Sequence, residues 1–129
     1  MRTAFIQELI AQARIHPDIF LVVGDLGFSV VEPFVQEFPG RYLNAGVAEQ
    51  NMTGVAAGLA SEGYHVFTYS IANFPTLRCL EQLRNDLAQS RPGKPFLDTA
   101  VQCLDGFDDL VRFKPAEIGG SRLHKSRAA

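Results

Sequence analysis

Apolar residues follow two different spacings along most of the chain. Between Thr3 and Arg14 they recur at the i, i+3, i+4 and i+7 spacing of a helix with one buried stripe. The stripe consists of Ile6, Leu9, Ile10 and Ala13. From Ile19 to Val23 the chain is apolar without interruption, which is typical of a strand buried on both faces of a parallel sheet. Pro17 separates the two elements, because the residue before a proline is pushed out of helical backbone angles.

The same alternation of helix and strand continues to residue 89. The predicted elements are a short helix over Pro33 to Phe38, a strand over Arg41 to Asn44, a helix over Glu49 to Glu62 capped by Gly63, a strand over Tyr64 to Tyr69, and a helix over Pro75 to Gln89. The last helix would bury Leu80, Leu83 and Leu87. Strands that alternate with helices predict an α/β fold, a parallel sheet in a three-layer αβα arrangement with right-handed crossovers.

The pattern degrades after Gln89. Residues 90–95 are rich in proline and glycine, and Phe96 to Leu104 fits one more short strand or a helix. The segment from Arg112 to Ala129 is basic and has few large apolar residues after Ile118, so we expect it to lack a packed core. The sequence therefore predicts a domain over residues 1–90 and a divergent, poorly ordered tail over residues 91–129.

Composition narrows the class of protein. A chain of 129 residues with 47% hydrophobic residues predicts one domain with one core. The net charge of −2 gives no general attraction to nucleic acid or to anionic membranes. The two cysteines, Cys79 and Cys103, have no metal-binding spacing, and two free thiols favour a cytoplasmic location. We expect no secretory signal and no membrane-spanning segment.

One stretch, Asn44 to Met52, carries the best candidate for chemistry. It places Glu49 at a helix start beside the turn at Gly46, with the polar residues Gln50 and Asn51 next to it. An acid in the first turn of a helix is favoured by the helix dipole alone, by about 0.3–1 kcal/mol, which is the purely structural interpretation. At the end of a strand, however, the same carboxyl group could serve in proton transfer.

The turn Gly24-Asp25-Leu26-Gly27 is a second candidate. It invites comparison with phosphate-binding loops, but it has neither the Lys-Ser/Thr of a P-loop nor a dinucleotide-binding glycine pattern. The structural alternative is a tight turn in which Asp25 bonds nearby backbone amides. Tyr69 and Phe74 flank the end of the third strand, where they could pack in the core or enclose a flat ring. The histidines have no sequence partners, and no metal site is predicted.

These residues resemble a known family. The run Gly46-Val47-Ala48-Glu49-Gln50-Asn51-Met52, followed by Gly54 and by Ala56 to Ala60, is similar to the pyrimidine-binding domain of transketolases. The stretches Asp18 to Phe34 and Thr68 to Asp86 resemble the same domain. The resemblance covers about residues 1–90 and is greatest to the C-terminal subunits of split transketolases. Deoxyxylulose-phosphate synthases and pyruvate dehydrogenase β-type subunits contain related domains, so part of one of these proteins is an alternative interpretation of the chain.

The resemblance implies a cofactor, thiamine diphosphate, bound between this domain and a diphosphate-binding domain that holds Mg²⁺. Glu49 matches the glutamate that hydrogen-bonds the aminopyrimidine ring and promotes loss of the thiazolium proton. Asp25 and Leu26 match residues that border the cofactor, and Tyr69 and Phe74 match its aromatic pocket. Ser29 and Arg2 fall where transketolases bind the sugar phosphate. The implied reaction is transfer of two-carbon ketol units between sugar phosphates, in the pentose phosphate pathway of carbohydrate metabolism.

The chain also departs from the family pattern. It lacks the Gly-Asp-Gly motif that holds the metal and the diphosphate, so a partner chain is implied. Residues 91–129 do not resemble the family continuation, which truncation or a shifted reading frame would explain. The alternatives are a non-catalytic remnant or interaction module, and a small phosphate-binding domain that uses Gly24 to Gly27. We expect the isolated chain to be inactive, and to oligomerise or be marginally stable through its exposed sheet edge.

Overall fold

The computed structural model describes residues 2–71, 74–87, 97–102 and 108–113, with side chains described for residues 3–71 and 74–86. The first half of the chain forms α1 (Arg2–Ile15), β1 (Ile19–Val23), α2 (Glu32–Glu37), a 3₁₀ turn (Pro39–Arg41) and β2 (Tyr42–Asn44). It continues with α3 (Glu49–Ser61), β3 (His65–Ile71), the helical segment 77–87, β4 (Leu97–Gln102) and β5 (Asp108–Phe113).

The strands form one sheet in the order β2-β1-β3-β4-β5. The first four strands in this order are parallel, and β5 pairs antiparallel with β4. The connection from β1 leads to β2 on one side of it, and the connection from β2 crosses back over β1 to β3 on its other side. The chain therefore reverses its direction across the sheet at β1. Such a reversal opens a crevice at the carboxyl ends of β1 and β3, where open α/β sheets bind ligands. The predicted α/β fold class is confirmed.

Two hydrophobic clusters cover the two faces of the sheet. One cluster lies under α1 and α2 and the other under α3 and the segment 77–87, so the chain has the predicted three layers. The first includes Ile6, Leu9, Leu21, Phe34 and Tyr69, and the second includes Val22, Met52, Ala56, Val66 and Cys79. Alternate residues of β1 enter opposite clusters, because successive side chains of a strand point to opposite faces. A strand that is apolar throughout is therefore required at this position.

The predicted third long helix is wrong in form. Residues 77–87 consist of a 3₁₀ turn (Leu77–Cys79), one α-helical turn, α4 (Leu80–Gln82), and a π-helical turn (Leu83–Leu87). Leu83 is buried as expected, but Leu80 is 62% exposed and does not belong to an apolar stripe. The side chain of Leu87 lies outside the described residues. Mid-helix 3₁₀ and π turns commonly mark a functional site or local strain.

The two glycines of α3 do not pack against a neighbouring backbone. A Cβ on Gly58 would meet nothing within 4 Å, and one on Gly54 would meet only the Asp86 carboxylate, at 3.8 Å. Within the described residues, this side of α3 is therefore open. Gly63 ends the helix with a φ of 107°, as predicted for a C-terminal glycine.

Part of the predicted tail joins the sheet as β4 and β5. The strand β4 falls inside the segment from Phe96 to Leu104, for which a strand was one of two expectations. The other residues of the tail, including Cys103, lie outside the described residues, and a boundary at residue 90 stays a prediction. None of the helices in the described ranges has the length and apolar character needed to cross a bilayer.

Candidate cofactor-binding site

The candidate site lies at the carboxyl edge of the sheet, where the loops after β1, β2 and β3 come together. The carboxyl ends of these strands are aligned, since Val23 pairs with Asn44 on one side and with Tyr69 on the other. The backbone N–H of Gly24 then donates to the Tyr69 carbonyl at 3.2 Å, and that of Ala45 donates to the Val23 carbonyl at 2.8 Å. Asp25, Glu49 and Phe74 follow these three strand ends.

Glu49 is the first residue of α3, and its side chain is only 6% exposed. The preceding residue, Ala48, has non-helical backbone angles (φ −149°, ψ 67°) and no side-chain group to cap the helix. Free N–H groups and the dipole at this helix start favour a carboxylate. The Thr53 hydroxyl donates to the Glu49 carbonyl at 2.9 Å. The fold therefore holds an acidic side chain, largely withdrawn from water, at the edge where ligands bind in this class of sheet.

Arg78, in the 3₁₀ turn after β3, supplies the cationic partner of this carboxylate. Its guanidinium Nη1 lies 3.8 Å from Glu49 Oε2, beyond the distance of a good hydrogen bond. The guanidinium also lies 4.0 Å above the centre of the Phe74 ring. The Arg78 carbonyl accepts from the Gln50 amide at 3.4 Å, so the loop after β3 is attached to the start of α3.

Behind this contact lies the thiol of Cys79, which is fully buried. Its Sγ donates to the Phe74 carbonyl at 3.1 Å. Burial raises the pKa of the Cys79 thiol, and the nearby Glu49 carboxylate acts in the same direction. The thiol is thus kept protonated, which suits a hydrogen-bond donor that holds the turn rather than a nucleophile.

On the other side of the crevice, the Asn44 side chain joins the turns that follow β1 and β2. Its amide exchanges hydrogen bonds with Asp25 and also accepts from the Gly46 N–H at 2.9 Å. Asp25 is exposed and adopts a left-handed φ of 56°, and Leu26 is partly buried. The structure thereby brings the predicted cofactor-bordering residues Asp25 and Leu26 to the same edge as Glu49.

Ser29 lies farther along the loop after β1. It is exposed, it has a left-handed φ of 61°, and its N–H donates to Glu32 Oε1 at 2.8 Å. Backbone N–H groups around Glu32, first its own and then that of Ser29, lower the pKa of its carboxyl group. The Arg2 side chain lies outside the described residues, although the α1 backbone begins at this residue. Ser29 and Arg2 as phosphate ligands stay predictions.

Tyr69 is not brought to Glu49. Its ring stacks on Phe5 of α1, with centroids 6.2 Å apart, and it belongs to the cluster under α1 and α2. A Cβ on Gly27 would come within 3.1 Å of the same ring, so the loop after β1 packs closely on it. Glu49 begins α3, which covers the opposite face of the sheet. Of the two predicted aromatic residues, only Phe74 lies close to the Glu49 carboxylate, through Arg78.

The turn from Gly24 to Gly27 does not have the form of a phosphate-binding loop. It leads into α2, which has six residues and begins at Glu32, and Asp25 adds a second acidic group nearby. An anion would be repelled here, so the geometry favours the tight-turn interpretation. Across the described ranges, no group of three or more His, Cys, Asp or Glu side chains is arranged to hold a metal ion.

Each of the three loops at this edge exposes one large apolar side chain. Phe28 is 90% exposed after β1, Val47 is 77% exposed after β2, and Leu77 is 69% exposed after β3. Single exposed apolar residues are common on protein surfaces, but three at one edge are typical of a face that another surface covers.

Sequence reasoning missed Arg78 and Asn44 as members of the site. Arg78 had no local signal beyond its position in the stretch from Thr68 to Asp86. Asn44 did have one, because asparagine two residues before a glycine commonly bonds its own backbone in a turn.

The fold and the site define a parallel α/β domain with a buried acidic residue at its ligand-binding edge. Comparison with known proteins then places the chain in a family. The family model described as "Transketolase, pyrimidine binding domain" matches residues 1–100. The chain belongs to this family, and the match extends beyond the predicted residue 90 into β4.

Two relatives and one solved structure illustrate the similarity. A transketolase C-terminal section from Methanocaldococcus jannaschii is 42% identical over 89 residues, which are 68% of this chain and 28% of that protein. A subunit of the apulose-4-phosphate transketolase of Phocaeicola vulgatus is 40% identical over 91 residues, 70% of this chain and 29% of the relative. The solved structure is a split-gene transketolase, described as an inactive beta4 tetramer, where beta4 denotes the subunits and not a strand. It has a TM-score of 0.60 and 37% identity, and the match covers 66% of this chain and 28% of that one.

The chain thus spans less than a third of the length of these relatives. A 1-deoxy-D-xylulose-5-phosphate synthase from Kitasatospora griseola also matches, at 32% identity over 96 residues, 74% of this chain and 15% of the relative.

Proposed function

We propose that the chain is the pyrimidine-binding part of a thiamine-diphosphate-dependent, transketolase-like transferase. The enzyme would move two-carbon ketol units between sugar phosphates. The observation that carries this proposal is the buried carboxyl group of Glu49 at the carboxyl edge of the sheet, in a chain of the transketolase pyrimidine-binding family. A buried carboxyl group in a cleft marks a candidate site for proton transfer, and this position supports a catalytic role.

The residues at the edge fit the aminopyrimidine part of the cofactor. Glu49 offers a carboxyl group to a ring nitrogen, and Phe74 offers an aromatic face beside it. Asp25 and Leu26 border the same crevice from the loop after β1. When bound, thiamine diphosphate supplies the carbon acid and the electron sink of the reaction, while this chain orients the ring and holds a proton at the Glu49 carboxyl group. Tyr69 supports the loop after β1, because its ring packs closely on Gly27.

A partner chain is part of the proposal. In this proposal, Mg²⁺ and the diphosphate are bound by a diphosphate-binding subunit or domain. The exposed side chains of Phe28, Val47 and Leu77 face the edge that such a partner would cover. Relatives named as transketolase subunits support an assembly of more than one chain. We place this assembly in the cytoplasm.

The sugar is left open by the family. The relatives' names include an apulose-4-phosphate transketolase, a 6-deoxy-6-sulfo-D-fructose transketolase and 1-deoxy-D-xylulose-5-phosphate synthases. Ser29 and Arg2 are the residues of this chain that we propose for the phosphate of the sugar.

The test combines the chain with the diphosphate-binding transketolase subunit from the same source, thiamine diphosphate and Mg²⁺. Transfer from a ketose phosphate to an aldose phosphate is then measured for the parent, Glu49→Gln and Glu62→Gln. Because proton transfer by a positioned group contributes about 10²–10⁴-fold, Glu49→Gln should lower the rate by this amount. Glu62 is exposed at the other end of α3, so its variant should keep the parental rate. Equal rates for all three proteins would refute the proposal.

A second candidate is a non-catalytic interaction module that retains the fold. The solved relative described as an inactive β4 tetramer is a precedent for assembly without activity. This alternative predicts a stable complex with the partner subunit. Neither Glu49→Gln nor added thiamine diphosphate should change the stability or the size of that complex. Analytical ultracentrifugation with and without the cofactor separates the two functions.

A further inference from the structure

The side chain of Asn44 connects two turns that no other described side chain joins. Asn44 is the last residue of β2, and its Oδ1 accepts from the backbone N–H of Asp25 at 3.0 Å and from that of Gly46 at 2.9 Å. Its Nδ2 donates to Asp25 Oδ1 at 2.8 Å. One side-chain amide therefore uses its acceptor twice and its donor once, across two loops.

Each turn contains one residue in a left-handed backbone conformation, which costs free energy at Asp25 but not at glycine. Asp25 has a φ of 56° and Gly46 a φ of 75°, both in the left-handed region. The sheet ladder ends just before them, with the bond from Ala45 N–H to the Val23 carbonyl at 2.8 Å. Beyond this bond, the Asn44 amide adds hydrogen bonds that fix the position of one turn relative to the other.

The turn at Gly46 leads directly into the helix that begins with Glu49. The Ala48 N–H donates to the Gly46 carbonyl at 2.8 Å, and the Met52 N–H closes the first turn of α3 on the Ala48 carbonyl at 2.9 Å. The chain from Gly46 to Glu49 is thus short and internally bonded. A shift of the Gly46 turn is transmitted to the Glu49 backbone.

We propose that Asn44 is a positioning residue, which fixes the start of α3, and so the Glu49 carboxyl group, relative to the Asp25 turn. This inference rests on the proposed function of Glu49. Asn44 touches neither Glu49 nor any reacting group, and it acts through the backbone of the Gly46 turn. Its role is to keep Asp25 and Glu49, on two different loops, in one fixed arrangement around the bound ring.

The hydrogen bonds can be reversed without changing their geometry. In the double variant Asp25→Asn/Asn44→Asp, the carboxylate at position 44 accepts both N–H groups, and the new amide at position 25 donates to its second oxygen. Asn44→Asp alone instead sets two carboxylates against each other where a bond of 2.8 Å stood. Asp25→Asn alone keeps an acceptor for Asn44, so it preserves all three bonds and isolates any separate effect of the Asp25 charge.

The first measurement is hydrogen exchange of the Gly46 amide in the free chain, which needs neither cofactor nor partner. Loss of the acceptor of the Gly46 N–H should accelerate exchange about tenfold in Asn44→Ala. Asn44→Asp should also accelerate it, because repulsion from Asp25 turns the new carboxylate away from the Gly46 N–H. The reversed pair should return to the rate of Asp25→Asn. The control is Asn85→Ala, because Asn85 is exposed on the segment 77–87 and away from both turns. Parental exchange in Asn44→Ala would overturn the proposal.

The second measurement is the dissociation constant of thiamine diphosphate, with Mg²⁺, for the complex with the diphosphate-binding subunit. Asn44→Ala and Asn44→Asp should weaken binding about tenfold, and the reversed pair should bind within about threefold of Asp25→Asn. A reversed pair as weak as Asn44→Asp would overturn the positioning role. Glu49→Gln is included in the same series. If it matches the parent in turnover, the proposed function fails; if it loses turnover while the Asn44 variants keep parental binding, only the present inference fails.

Discussion

Replacing Glu49 with glutamine should leave the free chain at least as stable as the parent, although the same change should abolish the proposed activity. The reason lies in the environment of the carboxylate. Its side chain is 6% exposed, and the charged group nearest to it among the described residues, Arg78, is 53% exposed and 3.8 Å away. Burial of a charge costs free energy that such a pair recovers only in part. Glutamine has the same shape and no charge.

The size of the effect follows from the distance and the exposure. Two unit charges about 4 Å apart attract by about 4 kcal/mol at an effective dielectric constant near 20. Water around the guanidinium reduces the net coupling to about 1 kcal/mol, as in measured exposed pairs. We therefore expect Glu49→Gln to change the free energy of unfolding by less than about 0.5 kcal/mol or to raise it. Arg78→Met leaves a buried charge unpaired and should lower it by about 1–2 kcal/mol.

The assay is urea unfolding of the free chain, followed by far-ultraviolet circular dichroism, for the parent, the two single variants and the double variant. This double-mutant cycle isolates the coupling between the two side chains. Arg78→Lys is the control, because it keeps the charge and most of the aliphatic contact. Our reasoning is refuted if Glu49→Gln destabilises the chain as much as Arg78→Met, or if the coupling vanishes.

Three further predictions concern glycine, acid and thiol chemistry. Gly27→Ala should lower the free energy of unfolding by at least about 1–2 kcal/mol, because alanine is strained at a left-handed φ. Gly58→Ala should raise it by about 0.5–1 kcal/mol, because glycine destabilises the interior of a helix. Urea unfolding measures both changes. In Gly27→Ala the new Cβ would also lie 2.7 Å from Val31 Cγ1. The pKa of Glu32 is lower in the folded chain than its ordinary value of 4.5. The ionised carboxyl group therefore stabilises the fold above pH 4.5, and this stabilisation is lost as the pH falls through the folded pKa. Glu32→Gln should reduce the dependence of the free energy of unfolding on pH below 4.5. Since burial raises the pKa of Cys79, iodoacetamide at pH 8 should label it slowly until urea unfolds the chain, as peptide mass spectrometry can follow.

The elements that were predicted well are those whose local and tertiary requirements agree. The strand Ile19–Val23 was predicted to the residue, because a strand covered on both faces must be apolar at every position. Glu49 was correctly placed as the first residue of α3. In both cases, the sequence signal and the packing select the same conformation.

The helix predicted over Pro75 to Gln89 is not regular, because contacts with other parts of the chain decide its form. Its first turn is held as a 3₁₀ turn by the bond from Cys79 N–H to the Thr76 carbonyl, at 3.1 Å. The Cys79 thiol and the Arg78 guanidinium also bind groups outside a regular helix. Leu80, which the predicted helix would bury, is exposed.

Within the site, the sequence indicated which residues could act in the chemistry, but it did not indicate which residues lie close together. Glu49 and Asp25 were found from turn and helix-start signals. Arg78 and Asn44 act on residues far along the chain, Glu49 and Asp25 respectively, and a single sequence does not show such pairs. Tyr69 was assigned to the cofactor pocket from its position at the end of β3, and this assignment stays a prediction. The period of two puts Tyr69 on the same face of the sheet as Phe67, but it does not say which helices cover that face.

The most direct test of the central claim measures proton loss rather than sugar transfer, so it does not depend on the sugar. The complex of this chain with the diphosphate-binding subunit, thiamine diphosphate and Mg²⁺ is mixed into D₂O and quenched with acid, and NMR follows exchange of the thiazolium carbon-bound proton. We predict exchange that is at least about 100-fold slower in Glu49→Gln than in the parent and in Glu62→Gln. Equal exchange rates in all three complexes would contradict the assignment of Glu49 as the proton-holding group.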